Sequence, residues 1–208
     1  MSEPVVYIVD DDPSARRGLT RLVRTAGMKA QSFPSAGKFL ASEGRGGPGC
    51  IVLDVRMPEM TGPELQEELA RAEYCMPIVF LSGHADVPIA ARAMKKGAVD
   101  FLTKPVDKDD LLGAIRSSLA RDAENRARWA DRNSIHERVE GLTPREREIM
   151  TWVLSGMLNK QIAYELDISE ETVKVHRGRI MQKLNVDSVA DLVRLCGKAG
   201  IAPAEPRR

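Results

Sequence analysis

Acidic side chains follow two apolar segments in the first quarter of the chain. Asp10 and Asp11 come directly after one segment, and Asp54 is the last residue of another. Short apolar segments rich in β-branched residues are typical of buried parallel strands, and such strands end at one crevice of an open α/β sheet. Carboxylates gathered there repel one another unless a cation lies among them, and an oxygen-rich site of this kind suits Mg²⁺. The spacing therefore predicts a Mg²⁺ site that includes Asp54.

A hydroxyl and an amine are expected in the same crevice. Ser82 closes a fourth apolar segment, and Lys104 follows a fifth. Because Lys104 precedes Pro105, the peptide bond between them is a candidate for the cis form. Asp12 differs from the neighbouring acids because it precedes Pro13, so we favour a helix-capping role for it over metal ligation.

Five alternating strand and helix segments, between residue 4 and about residue 120, position these side chains. Repeats of this size predict an α/β fold, a (βα)5 doubly wound parallel sheet with helices on both faces. The predicted strands cover 5–9, 29–33, 50–54, 78–82 and 99–103. The predicted helices cover 13–26, 35–42, 62–72, 86–97 and 107–120.

The composition is that of an ordinary globular protein. The 208 residues are 43% hydrophobic with a net charge of +1, which allows one large or two small domains. No apolar segment approaches the ~18 residues that span a membrane, and the N-terminus lacks a signal-peptide pattern, so we expect a cytoplasmic protein without membrane contact. Cys50, Cys75 and Cys196 lack metal-ligand spacing and are expected to be reduced thiols.

The chain changes character after residue 120. Residues 121–140 carry charges of both signs and few apolar side chains, which favours a solvated helical linker over a coiled coil. Beyond it, Thr143 and Glu146 form a capping box. Helices are predicted over 144–155, 159–166 and 170–184 and after Ser188, with Asn159 and Ser169 as caps. We therefore predict a first domain at 1–120, a linker at 121–140 and a small all-α four-helix domain at 141–208.

The first domain resembles the receiver domains of two-component systems. The resemblance covers residues 4–120 and rests on Asp10-Asp11, Asp54, Ser82 and Lys104-Pro105. It implies that Asp54 accepts a phosphoryl group from a sensor histidine kinase. It also implies that Asp11, Asp54 and the main-chain carbonyl of Arg56 ligate Mg²⁺, while Asp10 acts mainly through water.

The chemistry of these residue types agrees with that role. Phosphoryl transfer needs an in-line nucleophile, such as an ionised carboxylate, and positive charge on the transferred oxygens. Lys104 and Mg²⁺ supply this charge, and Ser82 can donate a hydrogen bond to a phosphoryl oxygen. In receivers, an aromatic residue on the fifth strand then fills the space that the hydroxyl residue, here Ser82, leaves when it moves toward the phosphoryl group. Phe101 holds that position, and a simple core role for it stays open.

The second domain resembles LuxR-type helix-turn-helix domains over residues 159–177, so the whole chain is similar to response regulators of the FixJ/NarL family. The resemblance implies that helix 170–184 enters the major groove of promoter DNA. Lys174 and Val175 are expected to contact bases, and Lys160 with Arg177 or Arg179 to contact phosphates. The expected DNA contacts are Lys160, Thr172, Lys174, Val175, Arg177, Arg179 and Gln182. Gly178 departs from relatives that carry a side chain there.

Together the two domains predict a phosphorylation-dependent transcription regulator rather than an enzyme. It is expected to dimerise on phosphorylation through the fourth helix, fifth strand and fifth helix, and to act with RNA polymerase.

One alternative is an aspartyl-phosphate phosphatase. Haloacid-dehalogenase-type enzymes place a second acid two residues after the nucleophile, however, where this chain has Arg56. A second alternative is a module whose helical domain binds protein or RNA, and steeply salt-dependent, sequence-selective duplex binding separates it from a DNA-binding domain.

Overall fold

The computed structural model describes two compact units of the chain. The described residues are 3–42, 46–71, 76–84 and 87–205, so Cys75 and the helix ends predicted at residues 72 and 86 lie outside them. The α/β unit is Met1–Arg126, and the helical unit is Ala127–Arg208. Cys50 and Cys196 are free, buried thiols, as predicted. None of the helices in the described part of the chain has the length and apolar character that crossing a membrane requires.

The α/β unit contains one parallel sheet with the strand order β2-β1-β3-β4-β5. The strands are β1 (Val5–Val9), β2 (Lys29–Phe33), β3 (Gly49–Asp54), β4 (Ile78–Ser82) and β5 (Asp100–Thr103). In this register Val9 pairs with Leu53, Asp54 pairs with Leu81, and Ser82 is the last residue of β4. The carboxyl ends of the central strands therefore lie together, and the predicted fold class is confirmed.

Five helices alternate with these strands, as predicted. They are α1 (Pro13–Thr25), α2 (Ala36–Leu40), α3 (Gly62–Ala70), α4 (Val87–Lys95) and α5 (Lys108–Glu140). Asp12 caps α1, so its predicted capping role is confirmed. Thr61 and Glu64 form a capping box at the start of α3. α5 is one continuous helix of 33 residues, because the predicted helical linker continues directly from the fifth helix.

Both faces of the sheet are covered by helices. Successive residues of a strand point to opposite faces, and the two buried clusters follow this alternation. Ile8 packs with Val23 of α1 and Ile115 of α5 on one face. Val9 packs with Leu65 of α3 on the other face. The sheet is therefore doubly wound, with its strands buried on both sides.

The helical unit contains four further helices around a core of its own. They are α6 (Pro144–Leu154), α7 (Asn159–Leu166), α8 (Glu170–Leu184) and α9 (Val189–Ala199). The prediction that Asn159 caps α7 is wrong. Leu158 is the N-cap, and its N–H donates to the side-chain oxygen of Gln161 at 2.8 Å. The side-chain oxygen of Asn159 instead accepts a hydrogen bond from Arg177 of α8.

Residues 121–140 are helical, as predicted, but they are not uniformly solvated. Asp122 is buried and accepts hydrogen bonds from the N–H of Gly49 at 3.0 Å and from Arg126 at 2.9 Å. Ile135 and Val139 are buried in the core of the helical unit. The expectation of solvation is wrong at these positions because each side chain has a partner within its own unit.

Candidate functional site

The structure brings together the side chains predicted from the strand ends. Asp54 is the last residue of β3 and Ser82 the last of β4. Asp10 follows β1 directly, and Lys104 follows β5. Asp10, Asp54 and Ser82 are buried, whereas Lys104 is half-buried. The Lys104-Pro105 bond is cis, as predicted.

Lys104 joins the two buried carboxylates. Its Nζ donates to Oδ2 of Asp10 at 2.6 Å and to Oδ1 of Asp54 at 2.5 Å. Main-chain N–H groups serve the remaining oxygens, because Arg56 donates to Oδ2 of Asp54 at 2.8 Å and Asp12 donates to Oδ1 of Asp10 at 2.9 Å. All four carboxylate oxygens therefore have a donor, which compensates their removal from water.

Burial and charge act in opposite directions on this pair. Burial raises the pKa of Asp54, and this effect outweighs Lys104 and the Arg56 N–H, which lower it. For Lys104, burial lowers the pKa, but its hydrogen bonds to Asp10 and Asp54 outweigh burial and raise it. The lysine is thus held in its charged form, and burial is the dominant effect on Asp54.

An arginine that the sequence patterns did not single out fixes the loop with the acids. Nη1 of Arg16 donates to the main-chain oxygens of Asp10 at 2.7 Å and Asp11 at 2.9 Å. Asp11 itself is exposed beside the buried Asp10. The sequence shows only that Arg16 lies one turn into the helix that follows the acids. An arginine in such a position is usually exposed to solvent.

The donor set at these strand ends suits Mg²⁺ in its chemistry. No group of three or more His, Cys, Asp or Glu side chains is already arranged as a metal site within the described ranges, because Asp10 and Asp54 both turn toward Lys104. The oxygens of Asp10, Asp11 and Asp54 are nevertheless the hard, anionic ligands that Mg²⁺ prefers. The raised pKa of Asp54 is also the shift that a nearby cation would oppose.

Ser82 and Phe101 lie at the site but do not contact Asp54 through a hydrogen bond. The Ser82 hydroxyl donates to the carbonyl of His84 at 2.7 Å and accepts from the His84 N–H at 3.3 Å. Phe101 is half-buried, and its ring centre lies 6.0 Å from that of Phe80. Ser82 is therefore held by His84, and Phe101 packs beside Phe80.

The turn after β3 is closely packed against Asp54. A Cβ added at Gly62 would lie 2.3 Å from the main-chain oxygen of Asp54 and 3.0 Å from the ring of Phe80. Within this turn Glu59 adopts a positive φ of 66°, and the N–H of Gly62 donates to the carbonyl of Val55. Only glycine therefore fits where α3 begins.

A second candidate surface is the outer side of α8. Val173, Ile180 and Leu184 face the core and are buried, whereas the predicted contacts differ in exposure. Lys160, Lys174, Val175, Arg179 and Gln182 are exposed, and Thr172 and Arg177 are half-buried. Nη1 of Arg177 donates to Asn159 at 2.7 Å and so ties α8 to α7. His176 is half-buried.

Two contacts that were not predicted hold α8 in place. Lys183 donates to the buried Glu146 of α6 at 2.6 Å, and this hydrogen bond lowers the pKa of Glu146 to about 2, with the capping-box N–H of Thr143 contributing. Arg138 of α5 donates to the carbonyl of Leu184 at 3.0 Å. Local patterns identify Glu146 as a capping residue, but its pairing with a lysine 37 residues away depends on tertiary packing.

Comparisons with known proteins match both units. Residues 6–116 match the response regulator receiver domain, and residues 140–196 match the luxR family of bacterial regulatory proteins. The response regulator protein TmoT of Ectopseudomonas mendocina is 48% identical over 93% of this chain and 88% of its own length. The transcriptional regulatory protein FixJ of Azorhizobium caulinodans is 41% identical over 96% of this chain and 95% of its own.

A solved structure covers both units. The response regulator StyR is 46% identical, with a TM-score of 0.78 over 95% of this chain and 100% of the StyR chain. These matches cover both the unit that contains the strand-end carboxylates and the unit that contains α8. The chain belongs to the response regulators of the FixJ/NarL family, and it is a transcriptional regulator that combines a receiver domain with a LuxR-type DNA-binding domain.

Proposed function

We propose that a sensor histidine kinase phosphorylates Asp54, and that this charge makes the chain dimerise and bind promoter DNA through α8. The observation that supports the proposal best is the position of Asp54. Its carboxylate is buried at a strand end, shares Lys104 with Asp10, and has a raised pKa because burial outweighs the positive charge around it.

Each residue of the site has a defined part in this proposal. Asp54 is the nucleophile, and the Lys104 ammonium remains beside it to neutralise the incoming phosphoryl oxygens. Asp11, Asp54 and the main-chain carbonyl of Arg56 would hold Mg²⁺, and Asp10 would assist through water. When bound, Mg²⁺ supplies positive charge that balances the transferred group. Arg16 keeps the main chain of Asp10 and Asp11 in place.

The switch begins with two neighbours of the phosphoryl group. The Ser82 hydroxyl leaves the His84 carbonyl and donates to a phosphoryl oxygen, and Phe101 moves into the vacated space. The changed surface of α4, β5 and α5 then forms the homodimer. Its candidate charge pairs involve Arg92, Lys96, Asp100 and Arg116, and Lys96 first has to leave its ion pair with Glu67.

The output is DNA occupancy. Lys174 and Val175 contact bases, while the other predicted contacts, Lys160, Thr172, Arg177, Arg179 and Gln182, position α8 on the duplex. We keep residues 1–120 as the receiver, 121–140 as the connecting helix and 141–208 as the DNA-binding domain. RNA polymerase is the partner through which bound protein acts on transcription.

Asp54→Asn, compared with Asp12→Asn, tests the proposal. Asp12 caps α1, and asparagine caps a helix as well as aspartate. Purified protein is incubated with MgCl2 and phosphoramidate, and phosphorylation is read by intact mass spectrometry. Binding to a duplex that the wild type selects from a random pool is read by gel shift. Wild type and Asp12→Asn should gain the phosphoryl mass and bind more tightly, whereas Asp54→Asn should do neither. Full donor-dependent binding by Asp54→Asn would overturn the mechanism.

A further inference from the structure

The end of α5 contacts the carboxyl ends of two other helices in the helical unit. Nη1 of Arg138 lies 3.0 Å from the carbonyl oxygen of Leu184, the last residue of α8. Nε2 of His136 lies 3.0 Å from the carbonyl oxygen of Ala199, the last residue of α9. Neighbouring residues of one helix thus donate to terminal carbonyls of α8 and α9.

Apolar packing fixes the same part of α5. Ile135 and Val139 are 3% and 7% exposed and belong to one cluster with Ile180 and Leu184 of α8. Arg138 lies between them in sequence. The helical segment that carries its guanidinium is therefore held by a buried side chain on either side of it. The contact to α8 is therefore part of a packed interface and not a free surface arginine.

The end of α8 needs this donor. The last carbonyls of a helix have no partner within the helix and carry the negative end of its dipole, which favours a cation there. The left-handed Asn185 closes α8 by donating its N–H to carbonyls of the preceding turn, Gln182 and Met181. The carbonyl of Leu184 is served by Arg138 instead.

We propose that Arg138 is a positioning residue for sequence-specific DNA binding. By holding the last carbonyl of α8 from α5, it sets the position of this helix along and about its axis. Base recognition by α8 depends on hydrogen bonds that tolerate only a few tenths of an ångström, whereas phosphate attraction tolerates more. The inference rests on the proposed function of α8 as the helix that reads bases.

Specific and non-specific DNA binding should therefore respond differently to Arg138→Met. Affinity for the duplex that the wild type selects from a random pool should fall roughly tenfold to a hundredfold, the ratio that follows from losing one charge-assisted hydrogen bond. Affinity for an unrelated duplex should stay within about twofold, and the slope of affinity against salt should not change, because no phosphate contact is lost.

Three variants of the full chain complete the experiment. Arg138→Lys keeps a charged donor and should recover most of the specific affinity. Arg132→Met removes an exposed arginine from the same helix and should change nothing. Lys174→Ala should weaken specific binding, and if it does not, the assignment of α8 to base reading fails independently of Arg138. Circular dichroism melts accompany each variant, and Arg138→Gln replaces Arg138→Met if the latter does not fold.

The outcomes separate positioning from other roles. Equal loss on both duplexes with a shallower salt slope would mean that Arg138 itself binds phosphate. Equal loss that follows the unfolded fraction and disappears on cooling would mean a general effect on stability. Either result, or unchanged specific binding by Arg138→Met, would overturn the proposal.

Discussion

At the scale of single residues, the strand-end site carries more negative charge than positive charge. Asp10 and Asp54 are both buried, and one lysine serves the two of them. Burying a carboxylate is costly unless it is paired, so the stability of the α/β unit depends on this lysine. The same deficit of positive charge favours a divalent cation.

Replacing Lys104 should therefore lower the free energy of unfolding, and Mg²⁺ should restore part of it. Lys104→Met is expected to lower the free energy of unfolding by about 1–3 kcal/mol, since it leaves two buried carboxylates without their shared donor. Millimolar MgCl2 should recover part of this loss by binding only the folded protein. Differential scanning calorimetry with and without MgCl2 measures both effects. The exposed Lys108→Met is the control, and a loss that MgCl2 leaves unchanged would contradict this account.

The ion pair between Glu146 and Lys183 gives the helical unit a dependence on pH. The folded pKa of Glu146 is about 2, below its usual value of 4.5. A depressed carboxylate pKa contributes stability above the unfolded value, and this contribution is lost as the pH falls through the folded value. The window therefore runs from about pH 4.5 down to about pH 2.

Glu146→Gln should remove this dependence while keeping the capping box, because glutamine also serves at that position. At pH 7 we expect the variant to lose about 1–2 kcal/mol of unfolding free energy, a value reduced for the solvent around Lys183. Urea unfolding is followed by tryptophan fluorescence, since both tryptophans, Trp129 and Trp152, lie in the helical unit. The gap between the wild type and the variant should narrow below pH 4.5, and a constant gap would disprove the assignment.

At the scale of elements, the turn between β3 and α3 sets the position of Asp54. Thr61 and Glu64 start α3 with a capping box, and Gly62 allows the helix to approach the main chain of Asp54. The helix start and the strand end are therefore in direct contact. A change of one side chain in this turn reaches the predicted nucleophile without touching its carboxylate.

Gly62→Ala should displace the end of β3. A Cβ only 2.3 Å from the main-chain oxygen of Asp54 cannot be accommodated without a backbone shift, and such overpacking costs about 1–3 kcal/mol. The matched change is Gly18→Ala, where α1 leaves open space around the new Cβ and alanine should add about 0.5–1 kcal/mol of stability. Calorimetric melts of both variants measure the two opposite shifts. Equal shifts would show that the close approach at Gly62 is unimportant.

The elements also show what a sequence can and cannot predict. All five strands and the caps at Asp12, Thr143 and Ser169 follow from local patterns, because periodicity and capping act over a few residues. The cap at Asn159 was predicted wrongly, since its side chain binds Arg177, which is 18 residues away. Contacts made by Arg16 and Arg138 were missed for the same reason: a charged side chain in a helix looks like a solvated one until its partner is known.

At the scale of the whole molecule, α5 is shared by the two units. Asp122 and Arg126 are bonded within the α/β unit, and Ile135 and Val139 are buried within the helical unit. The segment predicted as a solvated linker is therefore packed at both of its ends, although most of its side chains are exposed. A stable fragment that contains the DNA-binding domain should accordingly begin within α5 and not at residue 141.

Two C-terminal fragments test this boundary. A fragment of residues 127–208 should be more stable than one of residues 141–208 by about 3–5 kcal/mol, because the shorter one lacks two buried apolar side chains. Urea unfolding read by Trp152 fluorescence compares them, with Trp129→Phe in the longer fragment so that both carry one tryptophan. Ile135→Ala in the longer fragment should lose about half of the difference. Equal stability would place the boundary at residue 141.

The lysine bridge has a consequence for synthesis of the chain. Asp10, directly after β1, and Asp54, at the end of β3, precede Lys104 by 50 residues or more. On a ribosome, N-terminal segments emerge and begin to fold first, so once these strands pair, the nascent protein holds two adjacent carboxylates before their shared lysine has been translated. Arrival of β5 and Lys104 then completes the sheet and gives both carboxylates their shared cation. A chain that stalls before β5 lacks both the complete sheet and Lys104, and this distinguishes it from the complete protein.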